Sequence, residues 1–515
     1  MLQAKSLWEL IERRARATPG ALFSLDEFDR RLSFADYRGA CLAAAAGLAE
    51  RGVGPGDPVS WALPSRHEAL VLLGALARLG ARQNPILPIY RDREIGFITR
   101  QSTARLLIVP STFRGFDYAK MAKAIAAEQP LLDWLIVDDR LPEGANDRLP
   151  DHAEVRAAVG EDPVRWLFYT SGTTSDPKGV LHTDASLLAF SAGMAESLAL
   201  DDDDRIAMVF PITHVGGVGW LIAGLMSGAA QICTSTFTAD TTIELLDRHG
   251  VTQATAGTAF HQVYLAAQRQ AGGQQLFSSV RAFPGGGAPK PPQLHRDIKQ
   301  AFGGAGIVSG YGLTECPICT MNRVSDPDEK LAQTEGRANP SGTTVQIVDA
   351  EGQLCAPGER GEIYVKGPQL CRGYLDPALN RAAFDKEGFF RTGDLGSLDA
   401  EGFLTVTGRS KDVIIRKGEN ISAVEVEDAL YAHPAVAEVA VIGLPDPSSG
   451  ERCCAVVVPS DSAAPLTFDE MSRFLRARSL MLQKIPEQLE LIDELPRNAT
   501  GKVLKFELRE RYSKG

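Results

Sequence analysis

Four times along the chain an apolar, strand-like run leads directly into a loop rich in Gly, Ser, Thr or Pro. The pairs are 166–169 before 170–179, 206–210 before 211–217, 280–283 before 284–289, and 306–308 before 309–315. Open α/β sheets bind ligands just beyond the carboxyl ends of their strands, so four such strands, if they are parallel neighbours, line one crevice with their loops. The preceding part alternates in the same sense. A helix ends near Leu48, a turn spans 54–57, a strand is expected over 58–63, helical apolar spacing runs over 68–79, and a further strand is expected over 104–109. This alternation predicts a mostly parallel sheet covered by helices. From about Asp349 the texture changes to short strands and turns (361–365, 402–406), as in a small β subdomain. The last hundred residues restart with a helix over 424–431 and strands over 439–442 and 455–458. A chain of 515 residues exceeds the usual size of one domain several-fold. The expected fold class is therefore α/β: a large N-terminal domain of helix-covered β-sheets with a small β subdomain, followed by a small α+β C-terminal domain, the boundary lying near 409–411.

Charge and cysteine usage narrow the function. The formal net charge of −11 is spread over the whole length with no basic block, which argues against a nucleic-acid partner. A small anion needs only a local pocket and is not excluded. Eight cysteines in so long a chain do not form a disulfide framework. The start, Met1-Leu2-Gln3-Ala4-Lys5, lacks the charged-then-apolar order of a signal peptide, so a cytoplasmic location is expected. No Asp, Glu, Lys or Arg occurs between Arg205 and Asp240, and Gly224 and Gly228 form a GxxxG. Pro211, Thr213, His214 and several glycines interrupt that stretch, so it is expected to form a strand, a loop and a buried helix rather than an integral membrane segment. Oligomeric state is not legible, and a homodimer is left open.

The strongest local signal is Tyr169-Thr170-Ser171-Gly172-Thr173-Thr174-Ser175-Asp176-Pro177-Lys178-Gly179. Five hydroxyls can donate to phosphate oxygens, two glycines let backbone amides approach closely, and Lys178 adds a cation. The Walker A spacing is absent, so this is a different phosphate loop. Gly285-Gly286-Gly287-Ala288-Pro289 permits a flat ring such as adenine to approach the backbone. Tyr311-Gly312-Leu313-Thr314-Glu315 offers an aromatic face, a hydroxyl and a carboxylate able to hold Mg²⁺ beside phosphates. Asp394, in Arg391-Thr392-Gly393-Asp394, can accept ribose hydroxyls. Arg409 and Lys411 stand in a second charged turn, and Lys502 lies on a glycine-containing loop before a helical stretch at 505–511. Each of the shorter motifs is, alone, commoner as an ordinary turn.

In this order, over 54–505, the motifs resemble the adenylate-forming enzymes, which include acyl-CoA synthetases, luciferases and peptide-synthetase adenylation domains. The resemblance implies an acid–thiol ligase that uses ATP, Mg²⁺ and coenzyme A. It makes an acyl-adenylate and passes the acyl group to the thiol with release of AMP and pyrophosphate. By similarity, Thr170, Ser171, Gly172, Thr173, Thr174 and Lys178 receive the β- and γ-phosphates. Gly287, Ala288 and Pro289, with Ser309, Gly310 and Tyr311, form the adenine site; Thr314 contacts the α-phosphate, and Glu315 is the Mg²⁺ ligand. Asp394 with Arg409 takes the ribose, and Lys502 bridges carboxylate and α-phosphate. His214, in Pro211-Ile212-Thr213-His214-Val215-Gly216, occupies the gate beside the acyl carboxylate. The small C-terminal domain is mobile in the family and turns about a hinge at Lys411, replacing Lys502 by Lys417 and Gly418, where the glycine leaves room for pantetheine.

The acid is less constrained. Val215-Gly216-Gly217-Val218-Gly219 follows the gate without the Asp that amino-acid-activating relatives carry, and Val215 stands where aryl-acid enzymes of siderophore assembly place Asn. Gly216, Gly217, Gly285, Gly286 and Gly312 are expected to leave room for a bulky acyl group. Asn84-Pro85-Ile86-Leu87-Pro88-Ile89-Tyr90-Arg91 resembles synthetases acting on medium-chain, alicyclic or aromatic acids. Ala256-Gly257-Thr258-Ala259 replaces a usual Pro-containing segment of the acyl pocket, which leaves the specificity open. The chain ends 13 residues after Lys502, so no fused carrier domain is expected; loading of a separate carrier protein remains the alternative. Cys316-Pro317-Ile318-Cys319 has CxxC spacing without a second pair or a nearby His, and is expected to be pocket wall rather than a metal or redox site.

Overall fold

The computed structural model describes the chain except residues 171–176, 256, 289, 410–411, 417–418, 447–448, 479, 499–500 and 514–515. Two sheets build most of the N-terminal domain. The first has six strands in the order Lys178–Thr183, Val164–Thr170, Arg82–Pro85, Pro58–Trp61, Leu106–Val109, Asp133–Ile136, all parallel except Lys178–Thr183. The second runs Arg31–Ser33, Leu22–Asp26, Ala230–Cys233, Arg205–Met208. Parallel bridges through Gln253 to Ile206 and Ala282 carry it on to Phe283–Gly286, Ile307–Leu313, Cys316–Met321 and Arg337–Ala338.

The helix His67–Leu79 is buried at every position, and Val215–Ser227 nearly so. An all-round apolar helix needs packing on every side, and both helices contribute to the same largest core cluster, with Trp61, Trp166 and Phe190. The charge-free stretch thus forms the strand, loop and buried helix expected, and among the described residues no helix is long and apolar enough to cross a membrane.

The four strand-and-loop units do not belong to one sheet. Val164–Thr170 lies in the first sheet and the other three in the second, so the crevice forms between sheets. Two boundaries also move. The strand expected over 280–283 is Phe283–Gly286, and the one expected over 306–308 extends over Ile307–Leu313, taking in residues expected to be loop. Glycine without a side chain reads as a turn in a sequence, yet here Gly285 and Gly286 pair in parallel with Ser309 and Gly310. A Cβ on Gly286 would press on the Gly310 carbonyl, so close strand approach accounts for it.

The β subdomain is the antiparallel sheet Thr344–Val348, Gly361–Lys366, Phe390–Leu398, Leu404–Arg409. It is tied to the second sheet where Glu335 N donates to Leu404 O and Leu404 N donates to Gly336 O, both at 2.8 Å. The C-terminal domain packs the antiparallel pair Val436–Asp446 and Gly450–Pro459 against the helices Ala423–Tyr431, Phe468–Ala477 and Lys505–Tyr512, with cores drawn only from its own residues apart from Tyr431, which packs on the N-terminal domain. The CxxC pair corrects one expectation. Cys316 and Cys319 are buried in the core between the second sheet and the β subdomain, with Ile347 and Ile363, rather than in a pocket wall, and Cys319 Sγ donates to Cys316 O at 2.9 Å.

Gly336 has φ +80°, and a Cβ there would overlap the backbone of Met321 and Asn322. Left-handed strain and overpacking combine at this junction, so Gly336→Ala is expected to destabilise the protein by about 2–4 kcal/mol. The shift of the urea unfolding midpoint measures it.

Candidate functional site

The Thr314–Glu315 turn joins the strands Ile307–Leu313 and Cys316–Met321, and buried hydrogen bonds fix it from two sides. His182 Nε2, on the strand Lys178–Thr183, donates to the Thr314 carbonyl at 2.8 Å. The Tyr374 hydroxyl donates to Glu315 Oε1 at 2.6 Å, and Cys371 N donates to Glu315 O at 2.8 Å. Residues 371–375 run along the same strand that Lys178 begins: Leu181 N donates to Gly373 O and Leu375 N to Gly179 O. Lys178 Nζ lies 5.7 Å from the centre of the Tyr374 ring. One cation and one carboxylate therefore border the same tyrosine. Burial, then the Glu315 carboxylate, pushes the Tyr374 hydroxyl well above its usual range, so it stays a donor. Glu315 is only 8% exposed, and its Oε2 has no hydrogen-bond partner among the described residues.

Asp394 and Arg409 are cross-strand partners, and Arg409 Nε meets Asp394 Oδ1 at 2.8 Å. The Tyr311 hydroxyl donates to Asp394 Oδ2 at 2.7 Å. Tyr311 lies on the strand that runs beside Gly285 and Gly286, with Gly287 and Ala288 just beyond, so the sequence-predicted adenine and ribose residues are brought together. A Cβ on Gly287 would meet nothing within 4 Å, which leaves that turn open to a ligand. Ser309 differs: its hydroxyl is turned inward, donating to Thr334 O and accepting from Asn322 Nδ2.

His214 caps the helix Val215–Ser227, its Nδ1 accepting from Gly216 N at 3.0 Å, and stands edge-on to Phe210. A ring whose Nδ1 accepts is neutral and carries its proton on Nε2, and burial lowers its pKa to about 4. It lines a cleft with Pro85, Ile86, Leu87, Tyr90, Phe168, Tyr169, Thr213, Val215 and Thr314. The residues of 84–91 that resembled medium-chain and aromatic-acid enzymes thus face the gate and the Thr314 turn. Two of the five glycines expected to give acyl room do otherwise. Cβ atoms on Gly217 and Gly312 would overlap the backbone of Pro211–Ile212 and of Ile318, so these positions serve close backbone packing.

Lys502 sits on a loop closed by Asn498, whose N donates to Lys502 O and whose Oδ1 accepts from Lys502 N, both at 2.9 Å. At Gly501, φ +81°, a Cβ would lie 3.4 Å from Phe260 and 3.5 Å from Ala259. The lysine loop of the C-terminal domain therefore rests on the first turn of the helix Thr258–Gln270, beside the segment expected to border the acyl pocket. Tyr431 adds a second contact, accepting from Gln262 Nε2 at 3.1 Å. Ser171, Gly172, Thr173, Thr174, Pro289, Lys411, Lys417 and Gly418 lie outside the described residues. Sequence reasoning passed over Tyr374 and His182. Tyr374 carries no signal beyond a Gly-Tyr pair, whereas His182 lies four residues after Lys178 on the same strand, which was the available clue.

Lys178 and the Glu315 carboxylate bordering Tyr374, with Tyr311 and Arg409 holding the buried Asp394 near an open glycine turn, make a candidate nucleotide cleft. The AMP-binding enzyme family matches residues 11–375, and its C-terminal domain matches residues 425–502. The chain belongs to the AMP-binding enzyme family. It is 29% identical to the medium-chain fatty-acid–CoA ligase of Escherichia coli K12, over 98% of this chain and 90% of that one. It is 32% identical to the salicyl-AMP ligase / salicyl-S-ArCP synthetase of Mycobacterium tuberculosis, over 97% and 90%. The solved structure of o-succinylbenzoate coenzyme A synthetase from Bacillus subtilis, in complex with ATP and magnesium ion, superposes with a TM-score of 0.82 at 29% identity, covering 97% of this chain and 98% of that one. As in other members of the AMP-binding family, a large N-terminal domain is followed by a small C-terminal one.

His182 and His261 are fully buried, and burial lowers both pKa values to about 4. The unfolded chain binds protons at about 6.5, so between 4 and 6.5 it holds more protons than the folded one and stability falls as pH falls. Each histidine is expected to remove on the order of 2 kcal/mol between pH 7 and pH 5. Urea unfolding at the two pH values measures the loss, and His261→Phe should remove one share of it.

Proposed function

We propose that the protein is an ATP-dependent carboxylate–CoA ligase acting on a medium-chain, alicyclic or aromatic carboxylic acid whose only charge is the reacting carboxylate. The observation that carries this reading is the convergence of the Thr314–Glu315 turn and His214 on one cleft whose lining includes no Asp, Glu, Lys or Arg among the described residues. An acid reaching this cleft would meet neutral polar groups, those of His214, Thr314, Thr213, Tyr90 and Tyr169, among apolar side chains.

In the first half-reaction the acid's carboxylate oxygen attacks the α-phosphorus of ATP, forming the acyl–phosphate bond while the bond to pyrophosphate breaks. Both partners are anions, so the barrier is largely repulsion, which fixed donors offset when aimed at the developing charge. His214 Nε2–H would hold a carboxylate oxygen, the Thr314 hydroxyl the α-phosphate, and Lys502 both. Asp394, buried and already oriented by Tyr311 and Arg409, would accept from the ribose. Glu315 fits Mg²⁺, which takes few protein carboxylates and the rest from phosphate and water, and whose part is to neutralise phosphate charge. Tyr374 holds that carboxylate in place. In the second half-reaction the thiol sulfur of coenzyme A attacks the acyl carbonyl carbon and AMP leaves.

The division into 1–408, a hinge at 409–411 and 412–515 accounts for the exchange. Rotation about Lys411 would lift the Lys502 loop from Phe260 and bring Lys417 and Gly418 to the thiol's entry. A second reading, transfer to a separate carrier protein, is favoured by the 32% identity with the mycobacterial salicyl-S-ArCP synthetase.

Pyrophosphate release with ATP, Mg²⁺ and a panel of acids, with and without coenzyme A, tests the proposal. Release that needs an acid with no charge beyond its carboxylate and yields AMP plus thioester supports it. Adenylate formation indifferent to coenzyme A moves the carrier reading ahead, and no acid-dependent release sinks both. Lys502→Ala is expected to slow adenylation by about 10²–10³ while leaving thioester formation from supplied acyl-adenylate within a few-fold. Tyr374→Phe is expected to raise the Mg²⁺ concentration for half-maximal rate by about tenfold, because a carboxylate loses the group that orients it.

A further inference from the structure

Four helices of the N-terminal domain, Leu7–Ala17, Phe34–Glu50, His67–Leu79 and His152–Val159, surround a cavity of about 500 Å³ that shares no lining residue with the substrate cleft. Its volume is that of a small-molecule pocket. Five guanidinium groups line it, from Arg13, Arg16, Arg38, Arg78 and Arg156, against two carboxylates, in a chain that is acidic overall. Glu9 pairs with Arg13 at 2.6 Å, and Glu12 with Arg38 at 2.8 Å and more distantly with Arg16. Arg78 and Arg156 have no carboxylate within ion-pair distance among the described residues.

Arg78 decides the reading. It is 7% exposed, its Nη2 donates to Pro150 O at 2.6 Å, and its Nη1 is buried without an acceptor among the described residues. A buried, half-satisfied guanidinium is costly; the Glu12 and Asp151 carboxylates and the Trp8 ring, 6.0 Å from the guanidinium carbon, offset part of that cost, while Arg38 on the facing helix adds like-charge repulsion. His152 senses the same excess: burial, then Arg78 and Arg156, push its pKa below the ordinary value. An anion in the cavity would relieve each of these at once. Planar guanidinium forks match phosphate oxygens in pairs, and only Trp8 and Leu42 offer apolar surface, which suits a polar occupant.

We propose that this cavity binds a small anion carrying at least two phosphate groups, held by Arg78, Arg156 and Arg16. Arg16 and Arg156 are exposed and can be changed without touching the core. Titration calorimetry of the full chain uses two probes, inorganic tripolyphosphate and a sugar bisphosphate, which separate an inorganic polyphosphate from an organic bisphosphate. Saturable binding of either that weakens at least tenfold in Arg16→Glu/Arg156→Glu, with acid-dependent pyrophosphate release unchanged within twofold, supports the proposal. Any binding in the catalytic cleft is common to both proteins and cancels in the comparison. Arg78→Lys, which keeps the charge and loses the fork, is expected to weaken the same isotherm while the unfolding midpoint stays near that of the parent. Superimposable isotherms for parent and double variant overturn the proposal, as does binding confined to long polyanions such as heparin.

Discussion

The Thr314–Glu315 turn is where three sheets meet, and the rest of the site takes its position from it. His182 reaches it from the six-stranded sheet, its own strands belong to the second sheet, and Tyr374 with Cys371 N arrives from the connection between Gly361–Lys366 and Phe390–Leu398 of the β subdomain. All three partners are buried, so each hydrogen bond is strong in its setting and its loss would strand a polar group away from water. A turn between two strands would otherwise be one of the softer parts of such a domain. Here its backbone is fixed from both sides, by His182 and by Cys371 N, and its carboxylate by Tyr374, which is the preorganisation a phosphate site needs, because donors that must reorganise during reaction lose much of their effect.

The same logic separates the two domains. Within the N-terminal domain the sheets are joined by backbone hydrogen bonds and shared core. Between the domains the contacts seen at the cleft are side-chain ones: Gln262 with Tyr431, and the Gly501 turn resting on Phe260 and Ala259. Contacts of this kind can be broken without unfolding either partner, and small polar interfaces are the usual ground for domain motion. The lysine loop is itself well built, closed on Asn498 and held by Arg497, which pairs with Glu438 at 2.6 Å. It can therefore move as a unit with its domain.

Much of this was legible in the sequence because the chemistry is local. Tyr311, Thr314 and Glu315 stand within five residues and so declare themselves through spacing, and the elements expected over 58–63, 68–79 and 104–109 lie close to where their apolar periodicity puts them. What spacing could not give was the third dimension. Glycines in Phe283–Gly286 read as a turn when they are strand, since a residue with no side chain looks the same whether it turns the backbone or lets two backbones approach. Gly217 and Gly312 read as spare volume when they are filled by neighbouring main chain, for the same reason. The CxxC pair read as pocket wall, because two adjacent apolar thiols carry no mark of whether a second sheet will cover them. Tyr374 lies 59 residues from the Glu315 it orients, a separation at which no periodicity links two side chains.

The pairing of Arg409 with Asp394 bears on why a hinge would fall where the family resemblance puts it. Arg409 is the last residue of the strand Leu404–Arg409 and lies directly across from Asp394. A strand end held by cross-strand hydrogen bonds and an ion pair with a buried carboxylate is a rigid point. Rotation about 409–411 would then turn one domain while leaving the ribose carboxylate, and the arginine that orients it, in place. The nucleotide half of the cleft would keep its geometry through both half-reactions, and only the group presented to the acyl carbon would change. That division of labour would follow from where the sheet ends: an adenylate formed in the first step would stay bound by the residues that formed it, and the second nucleophile would be brought to it.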